Sequence, residues 1–204
     1  MHNLGCSRLL RYQKQTHTAT CRNPPPTPPY DVFISHQGRD TKRNLASLLY
    51  DHFTRRNLNP FLDNKSMKPG DKLLDKIDSS IWACKIGVSI FSPRYCSSYF
   101  CLHELTLMME YKKKIIPIFC DVKPSELQIV LENGRCSTKE LQRFKWAVEE
   151  AKHTVGLTFD SRNGDWLKLL RRASDTVVES LMELEADGDN NQCSCTPTQA
   201  SFAY

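Results

Sequence analysis

Within Phe100-Cys101-Leu102-His103-Glu104-Leu105 an acid sits in an apolar stretch with the periodicity of a helix. Leu102, Leu105 and Met109 recur at i, i+3 and i+7, the spacing of one helical face. On that helix Phe100 lies one turn before Glu104 and Met108 one turn after, which predicts a shared face. A carboxylate flanked by an aromatic ring and a thioether is partly desolvated, which raises its cost and its reactivity together. A helical glutamate is ordinarily a solvated surface residue, so Glu104 needs a reason to be where it is. Its neighbours do not supply one. Cys101 and His103 are two residues apart and point to different sides of a helix, which argues against a thiol nucleophile activated by that imidazole.

The elements that must position Glu104 alternate along the chain. Strands are predicted over 30–35 (YDVFIS), 58–62 (LNPFL), 85–92 (KIGVSIFS), 114–122 (KIIPIFCDV) and 155–159 (VGLTF), the second at an edge because of Pro60. Helices are predicted from Asp40 or Thr41 to about 57, from Asp71 to about Trp82, over 99–111, over 138–152 and from Trp166 to 184. Trp82, Trp146 and Trp166 fall on apolar helical positions and are read as core. Five strand–helix repeats predict an α/β fold, an open five-stranded parallel sheet with helices on both faces. Ligands of such sheets bind beyond the carboxyl ends of the strands. The loops 36–41, 63–71, 93–98 and 120–127 fall there, and so does the start of the helix bearing Glu104.

Composition sets the limits. The chain has 204 residues, 40% of them hydrophobic and 25% charged, which suits one domain with two tails. No apolar run is long enough to span a membrane. Residues 1–29 carry Arg8, Arg11, Lys14 and Arg22 without an acid and end in a proline cluster from Pro24 to Pro29, so they read as a disordered basic extension. Their composition also fits a transit segment, which leaves nucleus or plastid beside the cytoplasmic expectation. Residues 185–204 are polar and acidic and read as a disordered tail, leaving +4 of the net +5 to the domain over 30–184. Nine cysteines are an odd number, and Cys84, Cys96, Cys101 and Cys120 lie in apolar runs, as buried free thiols do. Cys193 and Cys195 lack partners at zinc spacing, so no metal site and no tightly bound cofactor is expected. A dinucleotide-binding glycine fingerprint, a P-loop and a nucleophile elbow are all absent. The position after the first strand, Ser35-His36-Gln37, also lacks a receiver domain's acidic cluster.

Four blocks in order, YDVFIS-HQGRDT, FLDNKSMKPGD, VSIFSPRYCSSYFCLHEL and IPIFCDVKPSEL, resemble the Toll/interleukin-1 receptor (TIR) domain of plants, and more narrowly plant TIR-only proteins. The resemblance implies a flavodoxin-like fold, which agrees with the alternation above. It also implies an NAD⁺ nucleosidase that works when self-associated in immune or cell-death signalling, with NAD⁺ as substrate and other TIR proteins as partners. The products would be nicotinamide and ADP-ribose with cyclic or related nucleotides. By position Glu104 would be the catalytic carboxylate, and Ser35, Gly38, Arg39, Tyr95, Ser98 and Phe100 would contact substrate, Arg39 at the pyrophosphate. Lys65, Ser66, Met67, Lys68, Pro69, Gly70 and Asp71 would form a mobile loop that completes a neighbour's site. Phe100 stands where the family commonly has tryptophan, and His36-Gln37-Gly38 where many members have Phe-Arg-Gly. Ser47-Leu48 replaces a Ser-His pair that joins helices between relatives. The alternatives are a non-catalytic adaptor and a nucleotide synthetase acting on nucleic acid, the latter resting only on the small positive charge.

Overall fold

The computed structural model describes residues 29–41, 44–131 and 136–192, with side chains described through 187. Its strands are β1 (Tyr30–His36), β2 (Pro60–Phe61), β3 (Cys84–Phe91), β4 (Lys114–Cys120) and β5 (Leu157–Phe159). All pair in parallel, in the order β2-β1-β3-β4-β5. The chain first steps outward from β1 to β2, then crosses back to β3 on the other side. The loops after β1 and β3 therefore diverge, and a crevice opens at the carboxyl ends of these two neighbours.

The helices are α1 (Gly38–Thr41), α2 (Leu45–Arg55), α3 (Asp63–Ser66), α4 (Leu73–Ala83), α5 (Tyr99–Glu110), α6 (Thr138–His153) and α7 (Trp166–Gln192). Side chains alternate across each strand, and the alternation builds two cores. Val32 and Ile34 of β1, Ile86, Val88 and Ile90 of β3, and Ile116 and Ile118 of β4 pack with α2 and α7. Phe33, Phe91 and Phe119 face the other way and pack with α4, α5 and α6. Ser35 has the parity of Phe33, so β1 delivers its hydroxyl to the face that α5 covers.

The centre of that second face is built small. A Cβ at Gly87 of β3 would collide with Met108 Sδ, so glycine lets α5 settle directly on the sheet. Helix α5 is buried on nearly every side, at Cys101, Leu102, Glu104, Leu105, Thr106, Leu107 and Met108. An almost continuous apolar surface is what a helix needs when sheet and two neighbouring helices enclose it.

Several boundaries differ from the sequence expectation, each for a local reason. The helix expected from Asp40 divides into α1 and α2, because Asn44 Oδ1 accepts the Leu45 N–H at 2.6 Å and starts α2 afresh. Asp71 does not cap α4; its carboxylate accepts the Lys68 N–H at 2.9 Å and closes a turn. That turn, Lys68-Pro69-Gly70-Asp71, has the proline and the positive-φ glycine (φ 98°) of a type II turn. Strand β2 is two residues long at the sheet edge, and β5 begins at Leu157, with Val155 95% exposed before it. Trp146 is 44% exposed and leaves the expected core, Trp82 is only half-buried, and Trp166 packs edge-on against Phe159. Helix α7 runs to Gln192, so the expected tail from 185 begins inside it. The proline cluster through Pro28 and the Cys193/Cys195 pair lie outside the described residues.

Candidate active site

Glu104 is in the first half of α5, just above the carboxyl end of β1, and is 8% exposed. Its Oε2 lies 2.7 Å from Ser35 Oγ, the Ser35 hydroxyl donating whenever the carboxyl is ionised. Ser35 Oγ is also 2.7 Å from the Tyr95 hydroxyl, which in turn donates to the Cys101 carbonyl at 3.2 Å. Ser35, Tyr95 and Glu104 thus form one buried polar chain linking β1, the turn after β3 and α5.

Burial pushes the Glu104 carboxyl up to about 8; the Ser35 hydroxyl opposes this, and the nearby charges of Asp63 and Asp78 add to it. The dominant cause is desolvation, as expected for a carboxyl walled by apolar groups. Each of the two acids faces a histidine. Asp63 Oδ1 lies 3.4 Å from His36 Nε2, and Asp78 Oδ1 lies 2.8 Å from His103 Nε2. Burial, followed by the charge of Glu104, also raises the Cys101 thiol well above its ordinary range. That leaves it protonated and unreactive at neutral pH, as its helical position implied.

The loops around Glu104 are tied together. Asp40 holds Arg94 through Nε at 2.6 Å and Nη2 at 2.5 Å, and accepts from Ser92 Oγ at 2.7 Å. Burial would raise the Asp40 carboxyl, but the donors from Ser92 and Arg94 outweigh it and hold the group below its usual range. Sequence reasoning assigned Asp40 to a helix cap and missed this latch. The two charges are visible just past the ends of β1 and β3, but only the sheet order makes those strands neighbours. His36 and Asp63 were missed in the same way, and the imidazole of His36 also lies 3.1 Å from Thr41 Oγ1.

The other expected site residues are placed variously. Ser98 accepts the Cys101 N–H at 3.3 Å and caps α5, and Tyr95 is fully buried. Neither presents the free side chain expected of a substrate contact. Gly38 and Arg39 are exposed on α1, and the Arg39 carbonyl accepts from Arg94 at 3.4 Å. Phe100 is 37% exposed at the mouth of α5 and edge-on to Tyr99, so it does not share the buried face of Glu104 and Met108. The first half of the expected mobile loop is a helical turn. Lys65 pairs with Asp51 at 2.5 Å and lies over the Tyr50 ring, Ser66 accepts from Leu62, and Met67 packs into the second core. Lys68, Pro69, Gly70 and Asp71 are exposed. A separate cleft of about 240 Å³, lined by Met109, Lys113, Ile115, Trp146, Glu150 and Thr154, opens at the amino ends of the strands. A ligand there would be on the same face of the sheet as Glu104 but at the opposite end of the strands. Among the described residues no His, Cys, Asp or Glu cluster is arranged to hold a metal ion, and no helix is long and apolar enough to cross a membrane.

This sheet order is that of a flavodoxin-like α/β fold, and the TIR domain model matches residues 29–192. The chain belongs to the TIR-domain family. It is 49% identical over 159 residues to the probable 2′ cyclic ADP-D-ribose synthase BdTIR of Brachypodium distachyon, covering 76% of this chain and 71% of that one. It is 28% identical over 170 residues to the TMV resistance protein N of Nicotiana glutinosa, covering 76% of this chain but only 15% of that much longer protein. Among solved structures, the TIR domains of the activated Roq1 resistosome superpose with a TM-score of 0.64 at 25% identity, covering 72% of this chain and 99% of theirs.

Proposed function

We propose that this chain cleaves the bond between nicotinamide and ribose in NAD⁺, with Glu104 as the catalytic carboxylate, and releases a cyclised ADP-ribose beside ADP-ribose itself. One observation supports the chemistry above the others: a buried carboxyl, hydrogen-bonded to Ser35, at the mouth of the sheet's crevice. The substrate class rests on the relative named as a cyclic ADP-D-ribose synthase.

The steps balance with one acid. NAD⁺ brings a positive pyridinium, which favours the ionised form of a neighbouring carboxyl. The C1′–N bond breaks with its electron pair moving to nitrogen, so nicotinamide leaves neutral and needs no general acid. The ribose is left as an oxocarbenium ion, whose charge Glu104 faces from a poorly solvated position where electrostatic stabilisation is strong. A water or a hydroxyl of the ADP-ribose moiety then attacks C1′, and Glu104 takes its proton. Water gives ADP-ribose, an internal hydroxyl gives the cyclic product, and one proton is released per NAD⁺ consumed.

Arg39, exposed beside the crevice, is the pyrophosphate partner in this reading, and Phe100 is the apolar wall at its mouth. The loop 63–71 presents its Lys68–Asp71 turn to a neighbouring copy, and the reaction serves defence signalling with other TIR chains as partners. Incubation with NAD⁺ followed by mass spectrometry tests the reading. Nicotinamide with both a cyclic nucleotide and ADP-ribose is the expected outcome; intact NAD⁺ at high protein concentration would refute it.

A further inference from the structure

The hydrogen-bond chain at Glu104 contains more oxygen–oxygen contacts than its hydroxyls have protons. Ser35 Oγ meets Glu104 Oε2 and the Tyr95 hydroxyl, each at 2.7 Å, and the Tyr95 hydroxyl meets the Cys101 carbonyl at 3.2 Å. That makes three contacts. A serine and a tyrosine hydroxyl each supply one proton, and a carbonyl and a carboxylate supply none. The third proton has a single available source, the carboxyl of Glu104.

We infer that Tyr95 is a positioning residue that, through Ser35, sets which protonation state of Glu104 the resting site holds. With Glu104 neutral every contact is satisfied in one direction. The carboxyl O–H donates to Ser35 Oγ, the Ser35 hydroxyl donates to Tyr95, and the Tyr95 hydroxyl donates to the Cys101 carbonyl. When Glu104 ionises the chain must reverse. Ser35 turns to donate to the carboxylate, and Tyr95 either turns to Ser35 and leaves the Cys101 carbonyl or stays and leaves two hydroxyl oxygens 2.7 Å apart without a proton between them. Ser35 and Tyr95 are fully buried, so neither has bulk water to complete its bonds. The raised Glu104 carboxyl is consistent with this count but is not needed for it.

The other charged groups around Glu104 do not replace the chain. Asp63 at the start of α3 and Asp78 on α4 act on it through space and are themselves engaged by His36 and His103. Cys101 on the same helix spends its thiol on the His36 carbonyl at 3.4 Å. Among the described residues Ser35 is the side chain hydrogen-bonded to the carboxyl, and the Tyr95 hydroxyl is its other side-chain partner. Binding of a cationic substrate would supply the charge that reverses the chain, so the site is ionised when occupied and neutral when empty.

The inference rests on the reading of Glu104 as the catalytic carboxyl, and it predicts opposite signs for two small deletions. Tyr95→Phe keeps the ring that packs on Phe91 and removes the acceptor for Ser35 in the neutral chain, so ionisation becomes easier. Ser35→Ala removes the donor to the carboxylate; a charge-assisted bond is roughly twice as strong as a neutral one, so ionisation becomes harder. The experiment is a carbon-13 NMR titration of the full chain labelled at glutamate carboxyls, with Glu104 assigned by the signal lost in Glu104→Gln. The Glu104 midpoint should move down in Tyr95→Phe and up in Ser35→Ala, each by about half a unit or more. The low-pH limb of kcat/KM for nicotinamide release should move with it, while thermal unfolding confirms that both variants fold. Shifts of the same sign, or none, would overturn the inference. Opposite shifts in a chain that never turns over NAD⁺ would leave the hydrogen-bond chain standing and remove the catalytic role.

Discussion

A carboxyl that folding buries must be paid for elsewhere in the molecule. Glu104 has an ordinary value of 4.5 and rises to about 8 in the folded chain. Below 4.5 both folded and unfolded chains hold the proton, and the group does not tilt the balance. Between 4.5 and about 8 the unfolded chain ionises while the folded chain keeps its proton, so stability falls as pH rises through that window. Each unit is worth about 1.4 kcal/mol, so the whole window amounts to something on the order of 3–5 kcal/mol. Glu104→Gln, neutral at every pH, removes this slope. Denaturant unfolding should show the variant gaining on the wild type from pH 5 to pH 8; a constant difference across that range would contradict the burial argument. At this scale the sequence told half the story. It pointed to Glu104 from its apolar neighbours, but it set Phe100 on the buried face shared by Glu104 and Met108, where Phe100 is 37% exposed, and gave the fully buried Tyr95 to the substrate. A helical repeat specifies angle around the axis; it does not say where along the helix the cover ends, and in the first turn of α5 Phe100 is exposed while Cys101 and Leu102 are buried.

Among the elements, α5 is the one on which the site depends, and its seat is Gly87 of β3 beneath Met108. A methyl group at that position must push the thioether aside or lift the helix, and overpacking of a closed core costs about 1–3 kcal/mol. Gly87→Ala should therefore lower the melting temperature, and should lower nicotinamide release by more than stability loss alone explains, because Glu104 rides on the displaced helix. Unchanged melting and turnover would show that Met108 yields freely. The loops are a second case. Asp40 and Arg94 join the turns after β1 and β3, the two strands that flank the crevice, and Arg94→Ala leaves the Asp40 carboxylate partly buried with only Ser92 and a backbone N–H. Its expected signature is a raised KM with a smaller change in kcat, since in the proposed reading the loops carry the substrate contacts and Glu104 does not move. A change confined to kcat would place Arg94 in the chemistry instead. The strands and helices themselves were legible from alternation, Gly and Pro. The latch was not, because pairing between loops depends on which strands are neighbours, and the order β2-β1-β3 is invisible until the crossover is known.

For the molecule as a whole, the sheet order sets the topological switch point at the carboxyl ends of β1 and β3, and the cleft beside Trp146 lies at the amino ends of the strands. On α2, Leu48 is 42% exposed where relatives are expected to join helix to helix, and the superposed Roq1 TIR domains come from an assembled resistosome. If copies complete one another's sites, nicotinamide released per chain rises with chain concentration, and Leu48→Glu flattens the rise without unfolding the domain. A specific rate that is constant over a hundredfold range would separate catalysis from assembly. The central claim is simpler than either: one buried carboxyl at the switch point of a parallel sheet breaks a glycosidic bond. It is tested by the initial rate of nicotinamide release from NAD⁺ by wild type and Glu104→Ala, compared at one high concentration after circular dichroism has shown both folded. Loss of a positioned catalytic group should cost roughly 10²–10⁴-fold; equal rates from the two proteins would contradict the account.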